Sequence, residues 1–147
     1  MERFQLLATV NIILEKDGKI LLARRTNTNF FDGHYECPAG HVDGGETIRE
    51  AAVRELLEET GVRSSLEDME VVHVMHRYGK NERIEFFVTC TQWEGDPKIM
   101  EQNKCDDIGW YSFDKFPEQM VPKSKFALEQ WKANKIYSEW GFEERNK

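Results

Sequence analysis

The sequence predicts a layered α/β/α domain, and three observations support this. Five apolar, β-rich runs fall at residues 6–14, 20–23, 69–78, 84–93 and 108–112. Two stretches with helical apolar spacing, 48–60 and 122–136, lie among and after them. A chain of 147 residues is long enough to bury one core, so a single domain over 1–147 is expected, with helices on either side of a sheet.

The elements follow in order. Residues 6–14 form the first strand. Lys16-Asp17-Gly18-Lys19 then gives a hairpin turn, and residues 20–23 return. Arg24 and Arg25 end that strand. Residues 26–34, rich in Asn and Thr, form a loop, and Tyr35-Glu36-Cys37-Pro38 leads into the glycine-rich segment 39–45. Thr47 followed by Glu50 is a capping box that opens the first helix, and Gly61 supplies its left-handed stop. Strands 69–78 and 84–93 are joined by Gly79-Lys80-Asn81-Glu82. A polar loop, 94–106, precedes the short strand 108–112. Phe126, Leu128, Trp131 and Ile136 are the apolar members of the second helix.

Charge and cysteine usage narrow the function classes. Asp and Glu outnumber Lys and Arg by 27 to 20, for a net charge of −7. That argues against a nucleic-acid polymer or an anionic membrane as partner, since both favour a basic face. A phosphorylated small molecule remains compatible, because a metal bound by acids inverts the local charge. Cys37, Cys90 and Cys105 are odd in number and widely spaced, as in reduced thiols of a cytoplasmic protein. No transmembrane-length run or signal-peptide pattern is present, and a cytoplasmic location is expected.

The chemistry concentrates in the first helix. Glu55, Glu58 and Glu59 fall within roughly 100° of arc, and Val53, Leu56, Leu57 and Thr60 within a similar arc on the other side. One face is therefore expected to pack while the opposite face displays three carboxylates. A solvated acidic face is the alternative. Glu50–Arg54 and Arg54–Glu58 are spaced as i,i+4 pairs, but nothing basic stands one turn from Glu55 or Glu59. Uncompensated carboxylates of this kind suit a hard cation, Mg²⁺ or Mn²⁺.

Residues 40–62 resemble the Nudix box, G-x5-E-x7-R-E-U-x-E-E-x-G-U with U aliphatic. Gly40, Glu46, Arg54, Glu55, Leu56, Glu58, Glu59, Gly61 and Val62 fill all nine fixed positions. The resemblance implies an α/β/α sandwich around a mixed β-sheet. It also implies a metal-dependent hydrolase of a nucleoside diphosphate linked to a further group. Glu55, Glu58 and Glu59 would hold the metal with help from the Gly40 carbonyl. Arg54 would orient a box carboxylate, and Glu58 or Glu101 would take the proton of the attacking water.

Further candidates come from the flanks. Trp93-Glu94-Gly95-Asp96-Pro97 and then Glu101 resembles a loop of the MutT branch in which a glutamate joins the metal site; Asp106 and Asp107 are the alternatives. Arg24 ends the second strand where the resemblance places a residue on substrate phosphates, and Arg25 in a regular strand would face the other way. Trp110, with Phe113 and Phe116, resembles the segment lining a base pocket, although aromatics at this spacing also suit a core. His41 lies in the box loop within reach of a substrate, whereas His34, His73 and His76 lack zinc-ligand spacing. The MutT-like flank implies a nucleoside triphosphate, oxidised or modified forms included, cleaved to monophosphate and pyrophosphate. ADP-ribose, sugar nucleotides, dinucleoside polyphosphates and a non-catalytic nucleotide sensor are the alternatives. A homodimer is left open.

Overall fold

The computed structural model describes residues 1–145 of the chain. Eight strands form a mixed sheet: β1 (Leu7–Lys16), β2 (Lys19–Arg25), β3 (Tyr35–Glu36), β4 (Ala39–His41), β5 (Met69–Arg77), β6 (Arg83–Cys90), β7 (Cys105–Ser112) and β8 (Tyr137–Trp140). The main path runs β3-β2-β1-β6-β5-β8, with β4 on β1 and β7 on β2. The pairs β1·β6 and β5·β8 are parallel, and the others are antiparallel.

Strand alternation builds the layers. Val10, Ile12 and Leu14 of β1, Leu21 of β2, and Val88 and Cys90 of β6 point to one side, where they meet Ala51, Ala52 and Leu56 of helix α1 (Ile48–Thr60). Ile13, Ile20, Leu22 and Phe87 point to the other side, toward Ala127 and Leu128 of helix α2 (Pro122–Lys132). Buried on both faces, the central strands read as near-continuous apolar runs. Asp17 and Gly18, at φ 54° and 74°, close the β1–β2 hairpin in the left-handed region that such two-residue turns require.

The sheet is split at β1. Residues 9–11 pair with β4, and only residues 15–16 pair with β2. Where the two partner strands diverge, a cleft of about 880 Å³ opens, lined by β2, β3, β4 and α1 and floored toward β5, β6 and α2.

Several expectations need correction. The second helix stops at Lys132 rather than 136. Asn134 takes φ 64°, the left-handed position that ends many helices, and the chain then enters β8, which the sequence did not reveal. Ile136 is outside the helix and largely exposed, and Leu57 is exposed as well. Among the described residues no helix is long and apolar enough to cross a membrane.

Candidate active site

Helix α1 begins and ends as its sequence dictates. The Thr47 hydroxyl accepts from the Glu50 amide at 3.1 Å, and the Glu50 carboxylate accepts from the Thr47 amide at 2.8 Å. Gly61 takes φ 75° and donates to the Leu57 carbonyl. Between the caps, the expected separation of an apolar and an acidic face does not hold. Ala51, Ala52, Glu55 and Glu59 share roughly 100° of arc, and this is the face turned to the sheet. Two small alanines bring the helix close, so the Glu55 and Glu59 carboxylates reach under the β4 segment rather than into solvent.

Their environment is specific. The Ala39 amide donates to Glu59 Oε2 at 2.8 Å. The Glu55 carboxyl lies directly against Gly40, where any Cβ would collide with it. Glycine at position 40 therefore serves the close approach of the Glu55 side chain. Gly40→Ala is expected to displace Glu55 and lower kcat by about 10²-fold with little change in melting temperature, as small misplacements at reacting centres do. Near-normal kcat in this variant would remove Glu55 from the chemistry.

Arg54 organises the remaining acids. Its Nε and Nη2 donate to Glu46 Oε2 and Oε1, both at 2.8 Å, and Nη2 also donates to the His41 carbonyl at 2.9 Å. Its Nη1 donates to Glu55 at 2.9 Å and to Glu58 at 3.3 Å. The expectation that Glu55 lacks a local counter-charge is thus corrected. Neighbours in sequence do not face each other on a helix, but the long guanidinium folds back across its own turn. The pairing drives the Glu46 carboxyl down to about 2, chiefly through the Arg54 hydrogen bonds. Glu50 serves the cap, and among the described residues it makes no ion pair with Arg54.

Glu55 and Glu59 resist ionisation. Burial pushes Glu55 upward against the pull of Arg54, with repulsion from Glu58 and Glu101 adding to it. Glu59 is pushed well above the ordinary range by burial first and then by Glu55, with smaller effects from Glu36 and Glu101. Among the described residues no three His, Cys, Asp or Glu side chains are preassembled as a metal cage. The carboxylates stand along one wall of the cleft, engaged by Arg54 and by the Ala39 amide. Their all-oxygen chemistry, their mutual repulsion and the close approach at Gly40 fit a hard divalent cation. Glu55, Glu58, Glu59, Glu101 and Gly40 line the cleft together and are the residues that would hold it.

Most other candidates also converge on the cleft. Glu101 lines it, and its backbone carbonyl fixes the loop by accepting from Lys104 and Cys105 at 2.9 and 3.0 Å. Asp106 instead holds Arg24 at 2.7 Å, and Asp107 accepts from the Tyr35 hydroxyl. His41 lines the cleft and is exposed. Arg24 and Arg25 are both among the residues at the cleft, and their side chains alternate as a regular strand requires: Arg24 lies over the Tyr35 ring, whereas Arg25 pairs with Glu36 on the other face. A register shift on the β2–β7 ladder at this point places the extra residue, Asp106, in β7, where it holds Arg24. Trp110 is not brought to the cleft. It stacks on Trp93 at 5.9 Å between centroids and packs against the α1 core. Phe113 and Phe116 pack with Trp131 below α2. His73 is buried and binds the Lys135 carbonyl and Ser138, His76 binds Glu82, and the His34 ring contacts the Asp32 carbonyl.

The sequence reading missed a buried ionic cluster on the α2 side of the cleft. Lys123 donates to Glu85 at 2.6 Å, Asn11 donates to the same oxygen at 3.3 Å, and Arg25 pairs with Glu36. Arg77 Nε lies 2.9 Å from Glu85 Oε2, yet neither atom makes an aligned hydrogen bond. A signal was present: Glu85 shares strand parity with Phe87, so its side chain had to point into the core.

Residues 5–132 match the profile of the family described as NUDIX domain. The chain belongs to the Nudix family. A Bacillus subtilis (strain 168) protein named "Putative 8-oxo-dGTP diphosphatase" is 32% identical over 121 residues, covering 82% of this chain and 76% of that protein. A Methanocaldococcus jannaschii protein named "ADP-ribose pyrophosphatase" is 55% identical over 53 residues, but these cover only 36% of this chain and 31% of that protein. The fold is shared with a MutT Nudix hydrolase from Burkholderia pseudomallei, at a TM-score of 0.79 and 24% identity over 86% of this chain and 98% of that one. The chain is therefore a Nudix hydrolase with MutT-like relatives.

Proposed function

We propose that residues 1–147 act as one catalytic unit that hydrolyses a nucleoside triphosphate to the monophosphate and pyrophosphate with Mg²⁺ or Mn²⁺. The observation carrying this is the wall of the cleft on which Glu55, Glu58, Glu59 and Glu101 stand together, with Arg24 also lining the cavity. The oxygen of a water molecule attacks one phosphorus, the phosphoanhydride P–O bond breaks, and the water proton passes to a carboxylate. In this reading Glu58 takes that proton: its carboxyl is half exposed and, among the described residues, is held only by the 3.3 Å contact from Arg54. Glu101 is the second group within the same cleft. Arg54 fixes Glu55 and Glu58 before substrate arrives, which lowers the reorganisation required during the reaction. When bound, the divalent cation neutralises charge on the bridging and leaving oxygens.

The triphosphate assignment is supported by the name of the B. subtilis relative and by a cleft of nucleotide size. All of these groups come from one chain, so the reading needs no second copy. The net charge of −7 favours a small substrate over a nucleic-acid polymer, and three cysteines without a disulfide fit a reducing, cytoplasmic compartment. Arg24, rather than Trp110, is the substrate contact this geometry favours. Its guanidinium is shared with Asp106, so part of its charge is already engaged.

A panel of kcat/KM values tests the assignment. It comprises the eight common (deoxy)nucleoside triphosphates, an oxidised guanine nucleotide, ADP-ribose, a sugar nucleotide and a dinucleoside polyphosphate. Triphosphates are expected to lead, with pyrophosphate as co-product, and Arg24→Ala is expected to raise their KM several-fold. A maximum on ADP-ribose or the sugar nucleotide would move the assignment, and binding without turnover across the panel would indicate a nucleotide sensor.

A further inference from the structure

The cleft has a second charged region, of opposite sign to the glutamate wall. Arg25, Arg77, Arg83 and Lys123 all line it, together with Glu36 and Glu85. Within the lining of this region these four cations meet two carboxylates, and Asp32, outside the lining, also attracts Arg25. Glu36 is taken by Arg25, and Glu85 is shared between Lys123 at 2.6 Å and Arg77 at 2.9 Å. Among the described residues Arg83 has no carboxylate partner; its Nε reaches only the Asn81 carbonyl at 3.4 Å. Glu82, its neighbour in sequence, is occupied by His76. The region therefore holds an excess of two positive charges inside a cavity.

Such an excess is costly unless something balances it. Removing ions from water is unfavourable, and two guanidiniums near one buried carboxylate repel each other. The repulsion is visible at Arg83, whose guanidinium is held below its usual range by burial first and by Arg77 second, with the longer-range pull of Glu85 too weak to offset them. Arg77 Nε is buried and lacks an aligned acceptor. The Arg25 and Arg77 guanidiniums lie 5.1 and 5.9 Å from the centre of the Phe30 ring, which keeps both beside one wall of the cleft. Anchoring α2 to β6 needs only the Lys123–Glu85 pair, and Arg83 is left without an ion pair among the described residues.

Resting on the hydrolase reading above, we propose that Arg83 and Arg77, backed by Lys123 and Arg25, form a second anion subsite for a phosphate carried by the substrate away from the scissile anhydride. The substrate class is then a nucleotide phosphorylated at two separate places: an anhydride at the glutamate wall, and a phosphate monoester on the sugar side in the basic region. Guanidinium forks match the oxygens of such a group.

Two measurements on the full chain test this. The first titrates inorganic phosphate by calorimetry in EDTA, where no cation can draw the anion to the glutamates. Saturable binding is expected, weakened about tenfold or more by Arg83→Gln, partly restored by Arg83→Lys and unchanged by Arg24→Ala. The second compares kcat/KM for a nucleoside triphosphate with that for the same nucleotide bearing a 3′-phosphate. The 3′-phosphorylated form is expected to lead by about tenfold in the parent and to lose that lead in Arg83→Gln. Equal phosphate affinity in the parent and Arg83→Gln, or loss of binding only in Arg24→Ala, would overturn the subsite, as would equal kcat/KM for the two nucleotides. If neither nucleotide is turned over, the triphosphate reading fails while the titration still decides the subsite.

Discussion

Chelation with EDTA is expected to bring turnover to background, and Mg²⁺ or Mn²⁺ to restore it, with Zn²⁺ a poor substitute. Glu55, Glu58, Glu59 and Glu101 offer only oxygen donors, which suits hard cations over zinc. Among the described residues one guanidinium, Arg54, serves Glu46, Glu55 and Glu58 together, the Ala39 amide engages Glu59, and the Lys104 ammonium stands 3.9 Å from Glu101. The wall is therefore short of positive charge until a cation arrives. A readout independent of activity follows. An ion that binds the folded state alone raises the melting temperature by mass action, so Mg²⁺ should stabilise the chain near neutral pH. Full activity in EDTA would sink the reading, and so would a melting temperature indifferent to Mg²⁺ near neutral pH.

Glu58→Gln and Glu59→Gln are each expected to lower kcat by about 10²-fold, the scale of one essential electrostatic group, but their effects on stability should differ. Glu58 is half exposed, so its substitution should leave the melting temperature nearly unchanged. Glu59 is pushed well above the ordinary carboxylate range by burial and by Glu55. A carboxyl raised in the folded state favours folding while protonated and loses that contribution as pH rises through its folded value. Metal-free Glu59→Gln should therefore be more stable than the parent near neutral pH, and the gain should fade as pH falls to the ordinary carboxylate range. The amide oxygen of glutamine can still accept from the Ala39 amide. Thermal melts of both variants across pH, beside their kcat values, check this. A Glu59→Gln chain that is less stable at every pH would make Glu59 a scaffold residue. Glu101→Gln distinguishes the proton acceptor: if its loss of kcat exceeds that of Glu58→Gln, the water proton goes to Glu101.

Local signals were legible in the sequence, and contacts between distant segments were not. The Thr47–Glu50 box, Gly61 and the Asp17-Gly18 turn specify backbone within a few residues, and each forms where its chemistry requires. Strand β8 is short and pairs in parallel with β5, more than sixty residues away, so no local pattern announced it. Asn134 was the available sign that α2 had ended. The orientation of α1 was misjudged because acids were assigned to solvent; a site is where that rule gives way. Lys123 looks like a surface charge on its own segment, and although the parity of Glu85 with Phe87 pointed it inward, nothing local named its partner. Only the packing of α2 onto β6 makes the two a buried pair. Trp110 carried an aromatic signal, but its ring stacks on Trp93 from the preceding loop.

The split of the sheet at β1 has a consequence for how this molecule can vary. The acidic helix is indexed to residues 9–11 through β4, while Arg24, Arg25 and Glu36 hang on β2 and β3, which β1 grips only at residues 15–16. On the proposed reading, the glutamates and the Arg24 contact are therefore mounted on separate frames that share one axle. Changes on the β2–β3 frame are then expected to alter the Arg24 contact and leave the glutamates in register. A slip of β1 by one residue would put both frames out of alignment at once.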